Sequence, residues 1–264
     1  VFLGIATLIR PYLLGFAPLL FAFLWFRREE IPQLALGMSV TGFALMLLPW
    51  QLFVALNDTS GSSSLFLSSV AHGSYPDFMY RGMPESYGYP YRFDPHPPGA
   101  AGGLMVLLSD LLERASEHPA DYLRWYLIGK PLALWQWPLV QGVREAFIYP
   151  VITTPFDYLP HMQAAWWLSR AVHYPVVLLA FAGCAFAWST RGKIALGPLE
   201  RNVAQVMGLL FLWTTALHVV AAPFPRYHMP LKPLLFIVAA WTLAAACKAA
   251  SQRLARRGVN EGCT

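Results

Sequence analysis

Long apolar stretches separated by short charged segments set the pattern of this chain. No Asp, Glu, Lys or Arg interrupts five of them, at residues 11–26, 34–56, 171–190, 203–222 and 233–247. An α-helix needs about 20 apolar residues to cross the hydrocarbon of a bilayer, because it rises about 1.5 Å per residue. We therefore predict an all-α integral membrane protein with five transmembrane helices, the first and last of marginal length.

The regions outside these stretches complete the predicted organisation. The chain opens with VFLGIATLI, which is too short to span a bilayer and lacks the basic start and cleavage site of a signal peptide. We expect it to be a partial helix that belongs to a longer protein. The predicted regions are 1–56 with the partial helix and two spans, an extracytoplasmic loop region with interfacial helices at 57–170, three spans in 171–250, and a basic cytoplasmic tail at 251–264.

Charge sets the predicted orientation. Only 12% of the residues are charged, and the net charge is +5. The basic residues flank apolar stretches, so we interpret them as a topology signal and predict no nucleic-acid partner. If the spans alternate, nine cations fall on one side and only Arg10, Arg226 and Lys232 lie in the short segments of the other. This predicts a multi-pass protein of a bacterial inner or plasma membrane, with 57–170 and 222–233 outside.

The region 57–170 divides into two parts. Its first part, up to about 103, is rich in Gly, Ser, Pro and Tyr, which predicts turns and loops without a long helix. A short helix is expected at 104–118, and Pro119 then opens a second helix. Aromatic side chains alternate there with Arg124 and Lys130, which favours a helix in the headgroup region. The alternative is an ordinary packed amphipathic helix.

The segment APFPRYHMPLKP at 222–233 is the most distinctive polar feature. Its four prolines deny the backbone a continuous helix, so we predict a stiff turn. Arg226, Tyr227 and His228 on such a turn could grip an anionic headgroup, and Arg10 before Pro11 could do the same. The alternatives are a plain helical hairpin with interfacial anchors and, for Arg10, a side chain that extends to the surface from an apolar helix.

Other polar residues give weaker signals. The loop region contains scattered His and carboxylate residues, whose spacing matches no known ligand pattern: His72, Asp77, Glu85, Asp94 and His96. We expect solvent or sugar contacts there in preference to a divalent metal, and no cofactor is predicted. Asp157 and His161 are similar single residues. His173 and His218 lie within predicted spans, where we favour a packing role over a functional one.

The two ends of the chain resemble one enzyme class. GIATLIRP, the basic turn RREE, the span ending LLPWQL and the late segment APFPRYHMPLKPLLFIVAAW are similar to the polytopic lipid-linked sugar transferases of the GT-C class. These include the protein mannosyltransferases and the aminoarabinose transferases. The resemblance covers 1–56 and about 200–250.

That resemblance implies a function. It implies transfer of a sugar from a polyprenyl-phosphate donor to an unknown acceptor on the extracytoplasmic face. The family's catalytic carboxylate lies in a first outer loop, upstream of this sequence, so the catalytic residue is unknown here. Arg226 and Tyr227 match the late motif and Arg10 the early one, whereas His228 stands at a variable position. A lipid-linked glycan transporter or flippase, and a non-catalytic membrane scaffold, are the alternatives.

Overall fold

The structure, a computed structural model, describes residues 1–9, 11–27, 33–57, 61–78, 102–137, 153–189 and 196–261. Within these ranges the chain forms helices and short turns without a strand, so the predicted helical class is confirmed for them. The described α-helices are α1 (Phe2–Ile9), α2 (Phe16–Phe26), α3 (Gln33–Leu56), α4 (Gly61–Gly73), α5 (Leu104–Glu117), α6 (Pro119–Arg124), α7 (Lys130–Trp135), α8 (Pro155–Tyr158), α9 (Pro160–Trp188), α10 (Pro198–Val220) and α11 (Lys232–Glu261).

Four described stretches are long and apolar enough to cross a membrane, whereas the sequence predicted five. They are α3, α9, α10 and Pro225–Ser251, which ends within α11. The predicted span at 11–26 is wrong, because a short 3₁₀ turn precedes α2 and the 11 residues of α2 rise only about 16 Å. A helix continuous from residue 11 would need the N–H that Pro18 lacks. The helix therefore begins anew at Phe16, with Pro18 in its first turn, where no such hydrogen bond is needed.

The first compact unit comprises residues 1–134 and 209–224. Helix α1 packs on α3 so closely that a Cβ added to Gly4 would lie 2.6 Å from the Met46 Cβ. Helix α4 corrects the expectation of loops in the Ser-rich part. It forms because Val70 and Ala71 supply an apolar surface that packs against Leu107 of α5.

The second compact unit comprises residues 135–208 and 225–264. Helices α9 and α11 lie side by side, and a Cβ at Gly183 would lie 1.9 Å from the Thr242 Oγ1. A larger residue at position 183 would have to displace the Thr242 side chain. The first half of α10 joins α9 through the Gln205 side-chain amide, which donates to the Ala187 carbonyl at 2.9 Å. Helix α9 begins at Pro160, earlier than the span predicted from 171.

Helices α6 and α7 are joined by a π-helical turn, Trp125–Gly129. Pro119 opens α6 as predicted. Pro131 cannot donate the backbone hydrogen bond that a regular α-helix needs at its position. The π-helical turn before Pro131 accommodates this missing hydrogen bond. Trp125 is 2% exposed and Lys130 0%. Protein therefore covers these two side chains, whereas the position of the helix in the headgroup region stays a prediction.

Candidate anion-binding site

The proline-rich turn (222–233) contains two 3₁₀ turns, Pro225–Tyr227 and Met229–Leu231. The His228 carbonyl accepts a hydrogen bond from the Leu231 amide at 2.8 Å, which closes the second of them. The prolines interrupt the backbone hydrogen bonds that a helix would need. The predicted non-helical turn is confirmed as far as Leu231, and α11 starts directly after the second 3₁₀ turn.

Two histidines and a tryptophan of the second unit pack together next to this turn. The His228 side chain is fully buried, and its ring centroid lies 5.5 Å from that of Trp135 and 5.4 Å from that of His173. The His173 Nε2 lies 2.8 Å from the Trp135 carbonyl oxygen. Only a protonated Nε2 can donate to that carbonyl, so in the neutral ring the Nδ1 of His173 is a hydrogen-bond acceptor.

A cavity of about 170 Å³ adjoins this cluster within the second unit. A buried water needs only about 10–15 Å³ on this scale, so the cavity has room for a small anionic group. Lys232 is its one cationic lining residue, and none of the described lining residues is acidic. The cavity is lined by Trp137, Ser169, His173, Val176, Lys232, Leu235 and Phe236.

The lining residues offer several hydrogen-bond donors and few acceptors. The Lys232 Nζ lies 4.3 Å from the centroid of the Trp137 ring and makes no hydrogen bond or ion pair within the described part of the chain. The indole N–H of Trp137 is buried without an acceptor among the described residues. Ser169 adds a hydroxyl group. One cation with convergent neutral donors is suited to an anion such as a phosphate, and no lining carboxylate could serve as a general base.

Arg226, Tyr227 and His228, the residues predicted from the turn, do not line the cavity. The Arg226 guanidinium lies 5.3 Å from the centroid of the Tyr227 ring, and both side chains are half-buried. Their contact with a donor phosphate or sugar stays a prediction. His228 is covered by protein and contacts His173, which lines the cavity. Arg10 lies outside the described residues.

Two of the scattered carboxylates of the loop region, Asp77 and Asp157, have structural partners. Asp77 forms an ion pair with Arg124 at the surface. Asp157 accepts a hydrogen bond from the Thr154 amide at 2.8 Å and thereby caps α8. Glu85, Asp94 and His96 lie outside the described residues. Within the described ranges, no three His, Cys, Asp or Glu side chains come together as metal ligands.

The sequence did not predict that the Lys130 side chain is buried and bound to backbone carbonyls. In the first unit its amine donates to the carbonyls of Val219 at 2.7 Å and Ala221 at 3.1 Å, at the end of α10. It also lies 3.7 Å from the centroid of the Tyr126 ring. Burial lowers the pKa of Lys130 to about 6 and raises that of Tyr126 to about 12. Lys130 therefore caps the last carbonyls of α10, which a helix leaves without partners.

A signal for Lys130 existed in the sequence. It is the only charged residue between Arg124 and Arg144, within an otherwise apolar and aromatic stretch. A single cation in such a stretch can either extend to the surface or turn inward to carbonyl groups. The local pattern does not distinguish these two outcomes, because the acceptors come from α10.

Comparison of the chain with protein-family models, curated proteins and solved structures gave no match.

Proposed function

We propose that this chain is the membrane part of a glycosyltransferase that binds a polyprenyl-phosphate-linked sugar on the extracytoplasmic face. The observation that carries the proposal is the cavity where the Lys232 amine, the Trp137 indole N–H and the Ser169 hydroxyl meet without an acidic lining residue. A phosphate group needs a positive charge and several N–H or O–H donors. The cavity supplies both.

The apolar part of the cavity favours a lipid-linked anion over a free one. Val176, Leu235 and Phe236 line it beside the polar residues. Phe236 is 52% exposed and the adjacent Ile237 is 65% exposed, so apolar surface continues outward from the cavity. A polyprenyl phosphate presents a charged group and a hydrocarbon chain together, and this surface matches both.

Charge distribution supports the outer face. Although the predicted first span is absent, the segments between the remaining four spans keep the sides of the membrane that the charge pattern predicted. The proline-rich turn then lies on the side opposite the nine cations, and Lys232 begins α11 at that boundary. A lipid phosphate also lies at the boundary between hydrocarbon and water.

The reaction class comes from the sequence resemblance. Transfer from a phosphate-linked sugar requires stabilisation of the leaving phosphate and a base for the acceptor hydroxyl. The cavity provides the first requirement. The resemblance implies that the base is a carboxylate in an outer loop on the N-terminal side.

Transfer of labelled sugar from a polyprenyl-phosphate donor, in membranes that carry the complete gene product, tests the proposal. Lys232→Met removes the cation and keeps the length of the side chain. We expect transfer to fall about 10- to 100-fold, the equivalent of one charged hydrogen bond. Lys248→Met is the matched control, because this exposed lysine lies 16 residues further along the same helix, about 24 Å away. Wild-type transfer by Lys232→Met would exclude the cavity as the phosphate site.

Two companion variants separate the contributions. Trp137→Phe removes one N–H donor and keeps the aromatic ring under Lys232. Arg226→Ala tests the turn, and unchanged transfer in this variant would exclude Arg226 from phosphate binding. If the complete product binds the lipid phosphate but transfers no sugar, a transporter or flippase becomes the better account. A protein that does neither is better described as a scaffold.

A further inference from the structure

Helices α9 and α11 run parallel and in register. His173 of α9 and Lys232 of α11 line the same cavity. Ten residues further along each helix, a Cβ at Gly183 would lie 1.9 Å from the Thr242 Oγ1. Helix α11 begins at Lys232, whereas α9 begins 13 residues before His173, about 20 Å earlier. The first turns of α9 therefore extend past the start of α11.

The cavity lining changes from polar to apolar in the same direction along both helices. On α9, Ser169 and His173 come before Val176. On α11, Lys232 comes before Phe236. A glycosylated lipid phosphate has its hydrocarbon chain on one side of the phosphate and its sugar on the other. With the phosphate at Lys232 and the chain towards Phe236, the sugar lies towards the first turns of α9.

These first turns carry an aromatic cluster, which consists of Trp166, Trp167 and Arg170. The two indole rings lie edge to face, with their centroids 4.6 Å apart. The Arg170 guanidinium lies 5.3 Å from the centroid of the Trp166 ring and 5.7 Å from that of the Trp167 ring. A cation that contacts both rings holds them in place.

Trp166 faces the cavity side of α9, whereas Trp167 faces away from it. A helix turns by about 100° per residue, so Trp166 lies about 60° around the axis from Ser169, and Trp167 lies about 160° from it. The exposure of the two side chains agrees with this geometry, since Trp166 is half-buried and Trp167 is 61% exposed. Trp166 therefore lies nearly one helical turn before Ser169, in the direction that the sugar takes from the phosphate.

We propose that Trp166 binds the sugar of the lipid-linked donor by packing its indole against the C–H face of a pyranose ring. The inference rests on the proposed function, because it takes the position of the phosphate from the cavity. An indole offers a flat apolar surface, and a pyranose has an apolar face between its hydroxyl groups. Arg170 adds guanidinium N–H groups that can donate to those hydroxyls. The aromatic cluster is then a sugar subsite about 4.5 Å along α9 from Ser169.

Equilibrium binding of synthetic lipids to the purified protein separates the sugar from the phosphate. The glycosyl lipids are phosphate diesters of a polyprenol with mannose, glucose or galactose, and the comparison lipid is the methyl phosphate diester, which has the same charge and no sugar. Trp166→Leu should bind the glycosyl lipid that the wild type prefers about 5- to 30-fold more weakly. It should bind the methyl lipid as the wild type does, which also shows that the variant is folded. Trp167→Leu, the matched control, should bind both lipids normally.

Lys232→Met separates a failure of the sugar subsite from a failure of the proposed function. This variant should bind the glycosyl and methyl lipids equally weakly relative to the wild type, because it acts on the phosphate. If it does so while Trp166→Leu changes neither affinity, or both equally, the proposed function stands and the sugar subsite is refuted. An equal sugar-selective loss in Trp167→Leu would also refute the subsite. If Lys232→Met changes neither affinity, the cavity does not bind the phosphate, and the orientation that brings the sugar to Trp166 fails with it.

Discussion

Substitution of Lys130 by methionine tests the most unusual contact of the first unit. The change keeps the length of the side chain and removes the amine that donates to the Val219 and Ala221 carbonyls. A neutral amine can donate two hydrogen bonds. Each is worth about 0.5–1.5 kcal/mol net, so Lys130→Met should lower the free energy of unfolding by about 1–3 kcal/mol when the amine is neutral.

The size of this loss should depend on pH. Burial lowers the pKa of Lys130 to about 6, whereas an unfolded lysine titrates near a pKa of about 10.4. Between these values the unfolded state binds more protons than the folded state. The free energy of unfolding therefore rises with pH, by at most about 1.4 kcal/mol per pH unit. Below about pH 6 the lysine is charged in both states and this dependence ends. Tyr126, whose pKa is raised to about 12, stays neutral throughout.

Thermal unfolding in detergent at pH 6, 7, 8 and 9 measures the effect. One kcal/mol corresponds to about 2–4 °C in melting temperature for domains of about this size. The melting temperature of the wild type should therefore rise by about 3–6 °C relative to that of Lys130→Met for each pH unit between pH 6 and pH 9. Because the unfolded lysine is still charged at pH 9, the full 1–3 kcal/mol of the two hydrogen bonds is reached only above about pH 10.4, and we expect the two melting temperatures to cross between about pH 8 and pH 10.

The exposed variant Lys248→Met serves as the control and should follow the wild type at every pH. A gap between Lys130→Met and the wild type that is the same at pH 6 and pH 9 would refute the reasoning. It would mean that the carbonyls hold the amine in its charged form and outweigh the effect of burial.

Two further predictions concern backbone contacts. A Cβ at Gly73 would lie 2.1 Å from the Ala221 carbonyl oxygen, so Gly73→Ala should destabilise the protein by about 1–3 kcal/mol or more, whereas Gly37→Ala, with open space around it, should not. Equal melting temperatures for the two variants would contradict that close approach. Asp157→Ala removes the acceptor of the Thr154 amide and should cost about 1 kcal/mol in thermal unfolding, with Asp157→Asn closer to the wild type. An unchanged melting temperature in Asp157→Ala would show that the cap contributes no stability.

The sequence predicted those elements whose causes are local. An uninterrupted apolar stretch predicted α3, and Pro119 marked the start of α6 correctly. Helix α4 escaped prediction because serines dominate its sequence, and its stability depends on contact of Val70 and Ala71 with another helix. The false span at 11–26 had the right composition, but the chain turns before Phe16, and α2 begins there with Pro18 in its first turn.

The candidate site was less predictable, because its residues come from separate segments. The prolines in the sequence were sufficient to predict the non-helical backbone just before Lys232. Ser169 and His173 reach the cavity beside Lys232 through the packing of α9 against α11, and Trp137 reaches it from the segment after α7. His173 was assigned to packing from its position in an apolar span. It does pack against Trp135, and it also lines the cavity.

Equilibrium binding of a polyprenyl phosphate to the purified protein tests the central claim most directly, with the corresponding polyprenol and inorganic phosphate as comparison ligands. The wild type and Lys248→Met should bind the polyprenyl phosphate equally and more tightly than either comparison ligand. Lys232→Met should bind it about 10- to 100-fold more weakly and should bind the polyprenol unchanged. Wild-type affinity of Lys232→Met for the polyprenyl phosphate would contradict the account.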